Sequence, residues 1–182
     1  MEILLIIIIG VIMIICAISI LYAITYNKFQ DYIIRINEVE SMIDNNLRNK
    51  YDLLNRVLPI IKSSIPKDRD IFEEIVKLRS RKLGNFELYR VLVRTSNEFE
   101  SLRREFADIQ KSSEIKKISN QVSDIDLKLD NQIEYYNENI SIYNSLLNKF
   151  PSNIVAIFSK YKEKLFFDRK DMNDEDYEDF KL

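Results

Sequence analysis

From Ile3 to Ile24 the chain carries no charged residue, and beyond Asn27 apolar positions recur every three or four residues almost to its end. As a helix, such an uncharged run reaches about 30 Å, enough to cross the hydrocarbon core of a bilayer. Tyr22 and Tyr26 stand at its end, where interfacial aromatic belts form, and Lys28 follows within snorkelling reach. A cleaved signal peptide would need a positive n-region, yet the chain begins Met1-Glu2. Cleavage at the small-x-small triplet Ala17-Ile18-Ser19 would split the apolar run, and Ile15 before Cys16 is too bulky for a lipoprotein site. The pattern predicts an uncleaved transmembrane helix over residues 1–26.

Ile36, Val39, Ile43, Leu47, Tyr51, Leu54, Leu58 and Ile61 then form one apolar stripe with helical spacing. No strong break separates it from the span, so one helix is expected from the bilayer to about Ser63, with a bend at Pro59. Ser63 to Asp70, with Pro66, reads as a turn. A short helix from Asp70 to Lys82 carries Ile71, Ile75 and Leu78 inward and stops at Gly84-Asn85. The next stripe is Phe86, Tyr89, Val93, Ser96, Phe99, Arg103, Phe106 and Ile109, with polar interruptions at Ser96 and Arg103. Ser112 or Ser113 is expected as the N-cap of the last long helix. That helix carries Ile115, Ile118, Val122, Ile125, Leu129, Ile133, Tyr136, Ile140, Tyr143, Leu147 and Phe150, and Pro151 closes it.

This last seam is coiled-coil-like and about 54 Å long, close to the length of the first soluble helix, Asn27 to Ser63. The expected fold is all-α: an N-terminal transmembrane helix (1–26), then an elongated antiparallel four-helix bundle (27–167). An acidic tail over 168–182, expected to be disordered, completes the chain. With an even number of bundle helices, the far end of the chain returns towards the membrane.

Composition narrows the chemistry. A 182-residue chain holds one domain of ordinary size, and 31% charged against 46% hydrophobic residues suits amphipathic helices better than disorder. A net charge of -2 leaves no basic footprint for nucleic acid. There is no histidine, so the usual general base and commonest metal ligand are missing, and Cys16 is the only cysteine. Asp44 and Asp52 on one helix and Asp124, Asp126 and Asp130 on another read as surface acids rather than paired catalytic carboxylates. Lys77, Arg79, Arg81 and Lys82 read as a solvated helix end. No catalytic, cofactor-binding or metal-binding residue is therefore assigned, no cofactor is expected, and the chain is not expected to be an enzyme.

Lys28, Arg35, Arg48 and Lys50 follow the span and no lysine or arginine precedes it, so the bulk of the chain is expected in the cytoplasm with the N-terminus outside. Ile154, Phe158, Tyr161 and Leu165 lie on one face of a further helix over Ile154 to Phe167, with Lys160, Lys162 and Lys164 away from it. Two readings stay open for that segment: packing on the bundle, or a second membrane contact on the inner leaflet.

Tyr136-Asn137, Tyr143-Asn144 and Phe150-Pro151 recur every seven residues, followed by Asn153 and Ala156. Near the start, Tyr26-Asn27, Ser41-Met42-Ile43-Asp44, Leu47-Arg48 and Tyr51-Asp52-Leu53-Leu54 form a second set. Together they resemble the LemA family. The sequence departs from that family's pattern at Glu40, where tryptophan is usual, and at Asn55, where a proline is common. The resemblance implies a bacterial single-span protein of the inner cell membrane with a helical cytoplasmic domain, for which no reaction is established. Relatives in magnetosome membranes extend the implication to organising membranes. The expected function is a non-enzymatic, membrane-anchored interaction or scaffold protein that meets the bilayer through Ile3 to Ile24 and binds a protein partner or its own copies. The alternative is a small-ligand sensor or enzyme with a site between the bundle helices. An aliphatic and aromatic core favours the first, and a cavity ringed by carboxylates and tyrosines the second.

Overall fold

Helix takes up nearly all of residues 1–65 and 84–167, the parts of the chain that the computed structural model describes, and no strand occurs among them. The elements are α1 (Glu2–Ser64), α2 (Asn85–Glu105), α3 (Ala107–Lys111), α4 (Ser113–Asn148) and α5 (Ser152–Phe158). The expected helix from Asp70 to Lys82, the basic cluster within it and the acidic tail lie outside the described residues.

α1 is a single helix of 63 residues that carries the apolar run and the first stripe without interruption, and Pro59 sits inside it. Past that proline, the Ser63 and Ser64 hydroxyls both donate to the Ile60 carbonyl, at 2.7 and 3.1 Å, in the last turn. The third stripe does not run through as one helix. Phe106 adopts an extended conformation (φ -110°, ψ 113°) that separates α2 from α3, although Ile109 beyond it is still buried. Ser112 caps α4 through its hydroxyl, which accepts the Ile115 N–H at 3.4 Å.

Two compact units divide the chain. The first comprises Met1–Val39 with Tyr136–Phe166. Its core is Phe29, Ile36, Ile140, Tyr143, Val155 and Ala156, with Tyr32, Ile33, Tyr136, Leu146, Leu147 and Tyr161 packed around them. The second comprises Glu40–Tyr135 with the chain from Phe167 onward. Here Asn46 bonds Gln132 at 2.9 Å and Lys50 bonds Asp126 at 2.6 Å, so α1 and α4 run antiparallel. Across α2 and α4, the Ser119 hydroxyl donates to Glu100 at 2.6 Å. Arg103 holds the same carboxylate from one turn away, at 2.7 Å. Burial pushes the Glu100 carboxyl up, but Ser119 and Arg103 together outweigh it and hold it below the usual range.

The observed stripes depart from the expected ones at several places. On α2 the buried positions are Leu92, Thr95, Ser96, Phe99 and Leu102, whereas Val93, Arg103 and Phe106 of the expected stripe are half-buried. On α1 the buried positions between Leu47 and Ile61 are Lys50, Leu54 and Val57, whereas Tyr51 and Leu58 are half-buried. Both sets alternate steps of three and four, so spacing alone does not choose between them. The Lys50–Asp126 pair does, because it brings a lysine stem into the seam. On α4 the seam ends early: the helix stops at Asn148, and Phe150, in the turn beyond, is 80% exposed.

A further departure is in the segment Ile154 to Phe167, which is helical only as far as Phe158. Lys160 sits in the left-handed region (φ 54°). The Tyr161 N–H bonds the Ala156 carbonyl at 3.0 Å and the Lys160 N–H bonds that of Ile157 at 3.2 Å. This is a Schellman closure with lysine where glycine is usual. It reverses the chain, so Tyr161 turns inward rather than continuing the face of Ile154 and Phe158.

The exposure of Phe150 against the burial of Leu129 sets an expectation for denaturation of the full chain in mild detergent. Leu129→Ala should cost about 3 kcal/mol, whereas Phe150→Ala should stay within about 0.5 kcal/mol. Equal losses would restore Phe150 to the seam.

Candidate functional site

In the first unit, one face of α1 carries Tyr22, Tyr26 and Phe29, spaced by four and three residues. Their rings form a ladder that the returning chain joins. Tyr22 stacks on Tyr26 with centroids 6.3 Å apart, and Tyr26 on Tyr161 at the same distance. Phe29 meets Tyr161 at 4.9 Å and the edge of Tyr143 at 5.7 Å. Polar groups fix the same arrangement. The Tyr22 and Ser159 hydroxyls lie 3.3 Å apart, and the Gln30 amide donates to the Tyr161 hydroxyl at 2.6 Å.

The Tyr-Asn pair of α4 holds the strap that follows. Tyr143 donates its hydroxyl proton to the Lys162 carbonyl at 3.1 Å. Asn144 donates to the Lys164 carbonyl at 2.8 Å and accepts the Lys164 N–H at 3.0 Å. Both side chains are buried. Tyr143 lies in the core as its place on the α4 seam predicts, and Asn144 beside it is spent on the strap. Phe29, two turns before Ile36 on the same face, extends that stripe and joins the same core. Burial, with Tyr161 adding to it, raises the Tyr143 phenol above its ordinary value. Burial raises Tyr161 as well; the Gln30 amide pulls the other way and Tyr26 adds to the rise.

What this clamp presents outward is apolar. Val155 and Ala156 turn into the core, while Ile154, Ile157 and Phe158 face away from it, Ile157 and Phe158 at 75% exposure. Leu165 and Phe166 on the strap are exposed too.

The second unit contains a small cleft of about 190 Å³ lined by Lys50, Tyr89, Val93, Ser96, Asn97, Asp126 and Asp130. Lys50 is 1% exposed and gives its ammonium to Asp126. The Ser96 hydroxyl is buried without a hydrogen-bond partner. The volume falls below the roughly 300 Å³ at which drug-sized ligand sites begin, so a few polar atoms would fill it. Of the carboxylates noted in the sequence, only Asp126 and Asp130 share this cleft. Asp44 pairs with Arg48 on its own helix, and Asp52 and Asp124 are exposed. Among the described residues no group of three or more acidic, histidine or cysteine side chains is placed to hold a metal ion.

Compared with known proteins, residues 39–178 match the family model described as the LemA family. The matched range takes in the Tyr-Asn pairs of α4, Phe150-Pro151 and the strap; Tyr26-Asn27 lies before it. Neither the curated proteins nor the solved structures gave a match.

The clamp predicts a graded response at one position. Tyr143→Ala should cost about 3 kcal/mol or more, since it empties a buried ring site. Tyr143→Phe should cost about 1 kcal/mol, the worth of the bond to Lys162. The raised phenol adds a pH signature. Its contribution is intact below the ordinary tyrosine range, near pH 10, and is lost as pH rises through the higher folded value. Tyr143→Phe should therefore flatten the alkaline flank of stability measured by urea melts. Unchanged melts for Tyr143→Ala would place the ring on the surface.

Proposed function

Because the chain belongs to the LemA family, we propose that it is a non-enzymatic, single-pass membrane protein. In this reading its helical domain binds a protein partner or organises the inner surface of a bacterial cell membrane. The observation that carries it is the start of α1, where an 18-residue window has a mean hydropathy of 3.4 and none of it is buried. Isoleucine, leucine and methionine side chains all round a helix have no favourable place in water, whereas a bilayer covers them without any partner chain. Lys28 and Arg35 close behind the run favour a cytoplasmic domain. The partner is a protein that meets the domain surface, and the core of aliphatic and aromatic side chains leaves binding to that surface.

Topology tests this directly. A green-fluorescent reporter fused after Leu182 should be bright, and an alkaline phosphatase fused there should be inactive. Strong phosphatase activity would put the domain outside and overturn the orientation. Proximity labelling from the same position should then enrich particular membrane or cytoplasmic proteins over a free-span control.

One observation favours the alternative of a small-ligand sensor: the cleft with the buried Lys50 ammonium and the unpartnered Ser96 hydroxyl. A ligand present at a hundred times its dissociation constant adds about 2.7 kcal/mol of stability. Thermal melts of the detergent-solubilised chain against small polar metabolites should show no such rise. A rise seen in the wild type and abolished by Lys50→Met would favour the sensor.

A further inference from the structure

We infer that α5 and the strap behind it form a second, monotopic membrane contact that enters the same leaflet beside the span; this rests on the single-pass reading above. Three observations place it. The first is position. Tyr22 stands near the end of the uncharged run of α1, where a tyrosine sits at headgroup level, and its hydroxyl lies 3.3 Å from that of Ser159. The residue after Phe158 is thereby fixed at the level where the span leaves the hydrocarbon. Tyr26 stacked on Tyr161 repeats the attachment one turn further on.

The second is the character of the face. α5 has no charged residue from Ser152 to Phe158. Its inner side is Val155 and Ala156, and its outer side is Ile154 with Ile157 and Phe158, which follow it by three and four residues and so neighbour it on the helix surface. Leu165 and Phe166, at 86% and 55% exposure, add to it. Single exposed apolar side chains are ordinary, but a contiguous group of this kind marks a surface that something covers. The third is the rim. Lys149, Lys160 and Lys162 are exposed on either side of the group, suited to anionic headgroups, each adding attraction that salt weakens. Lipid is the occupant this arrangement fits, since the Tyr22–Ser159 contact sets the face beside a helix whose 18-residue apolar window is bare of protein.

This differs from an amphipathic helix lying flat over Ile154 to Phe167. The contact is a short hook, and Tyr161 is excluded from it because its ring packs on Phe29 and its hydroxyl takes the Gln30 amide. The hook is also held by hydrogen bonds from α4 to the strap, so it is presented before any membrane is met.

The chain has no tryptophan, so one introduced residue reports alone. The full chain carrying Phe158→Trp, reconstituted in vesicles with anionic lipid, should emit at shorter wavelength than one carrying Leu127→Trp, a position exposed on α4. Lipids brominated high on the acyl chain should quench the Phe158→Trp emission at least twofold more. Ile157→Trp is the second probe should the first variant fail to fold. Carbonate washing separates the two readings. If the chain resists extraction while Phe158→Trp and Ile157→Trp emit like Leu127→Trp, the hook is wrong and the span stands. If carbonate extracts the chain, the span fails and the hook with it. A blue-shifted emission that brominated lipid does not quench would mean that protein, a partner or a second copy, covers the face, and would overturn the inference.

Discussion

Asn144 closes a two-point hydrogen bond onto the backbone of Lys164 from a side chain that is itself buried. The strap after Tyr161 has no regular structure, so its backbone groups cannot satisfy one another as they would in a helix. Asn144 takes both groups of Lys164, and Tyr143, its neighbour in sequence, takes the carbonyl of Lys162. These bonds decide where the chain goes once Lys160 has reversed it. With the strap held, Tyr161 lies over Phe29 and Tyr26, and Ser159 reaches Tyr22. The Tyr-Asn pair thus fixes the course of a separate segment, which a role in helix packing alone would not require.

Lys50 makes a comparable decision in the second unit. A seam of aliphatic residues on two long antiparallel helices tolerates sliding by a heptad, since one leucine layer replaces another with little loss. A lysine 1% exposed does not, because its ammonium must meet an acceptor wherever it stops. Asp126 is that acceptor, and Asn46 with Gln132 makes a second polar match one turn away. Such a pair adds little net stability over an apolar layer of the same volume. Its value lies in rejecting the other registers.

The helices of α1 and α4 were legible because their apolar spacing is long and nearly unbroken, and one seam residue after another from Ile115 to Ile133 is buried as expected. The family was legible from the heptad-spaced Tyr-Asn pairs and Phe-Pro. What was not legible has physical reasons. Lys50 counted only among the positive charges after the span, because nothing in its own helix reveals Asp126 opposite. The end of α5 was hidden because Lys160 gives no glycine signal for a left-handed closure, and Tyr161 and Leu165 continue a helical spacing by coincidence. The break at Phe106 likewise has no proline or glycine to announce it. The returning end was expected from helix parity, which needs a full helix count. The contact of Ser159 with Tyr22 brings the chain back beside α1 near the end of its uncharged run, without that count.

Continuity of α1 gives the proposed double contact its mechanical meaning. Between Gly10 and Pro59 the helix contains neither glycine nor proline, the residues at which sharp kinks ordinarily arise. A span that passes straight into a domain this way carries its tilt into the first unit, because no loop intervenes to absorb it. One helix still leaves rotation about its own axis free. A hook seated in the leaflet beside it would remove that freedom, since two points of attachment define a line on the membrane surface where one defines only a pivot. The face of the first unit turned to a partner would then be set by the bilayer itself. A protein with this geometry can present a surface in a fixed orientation without any soluble structure to brace it.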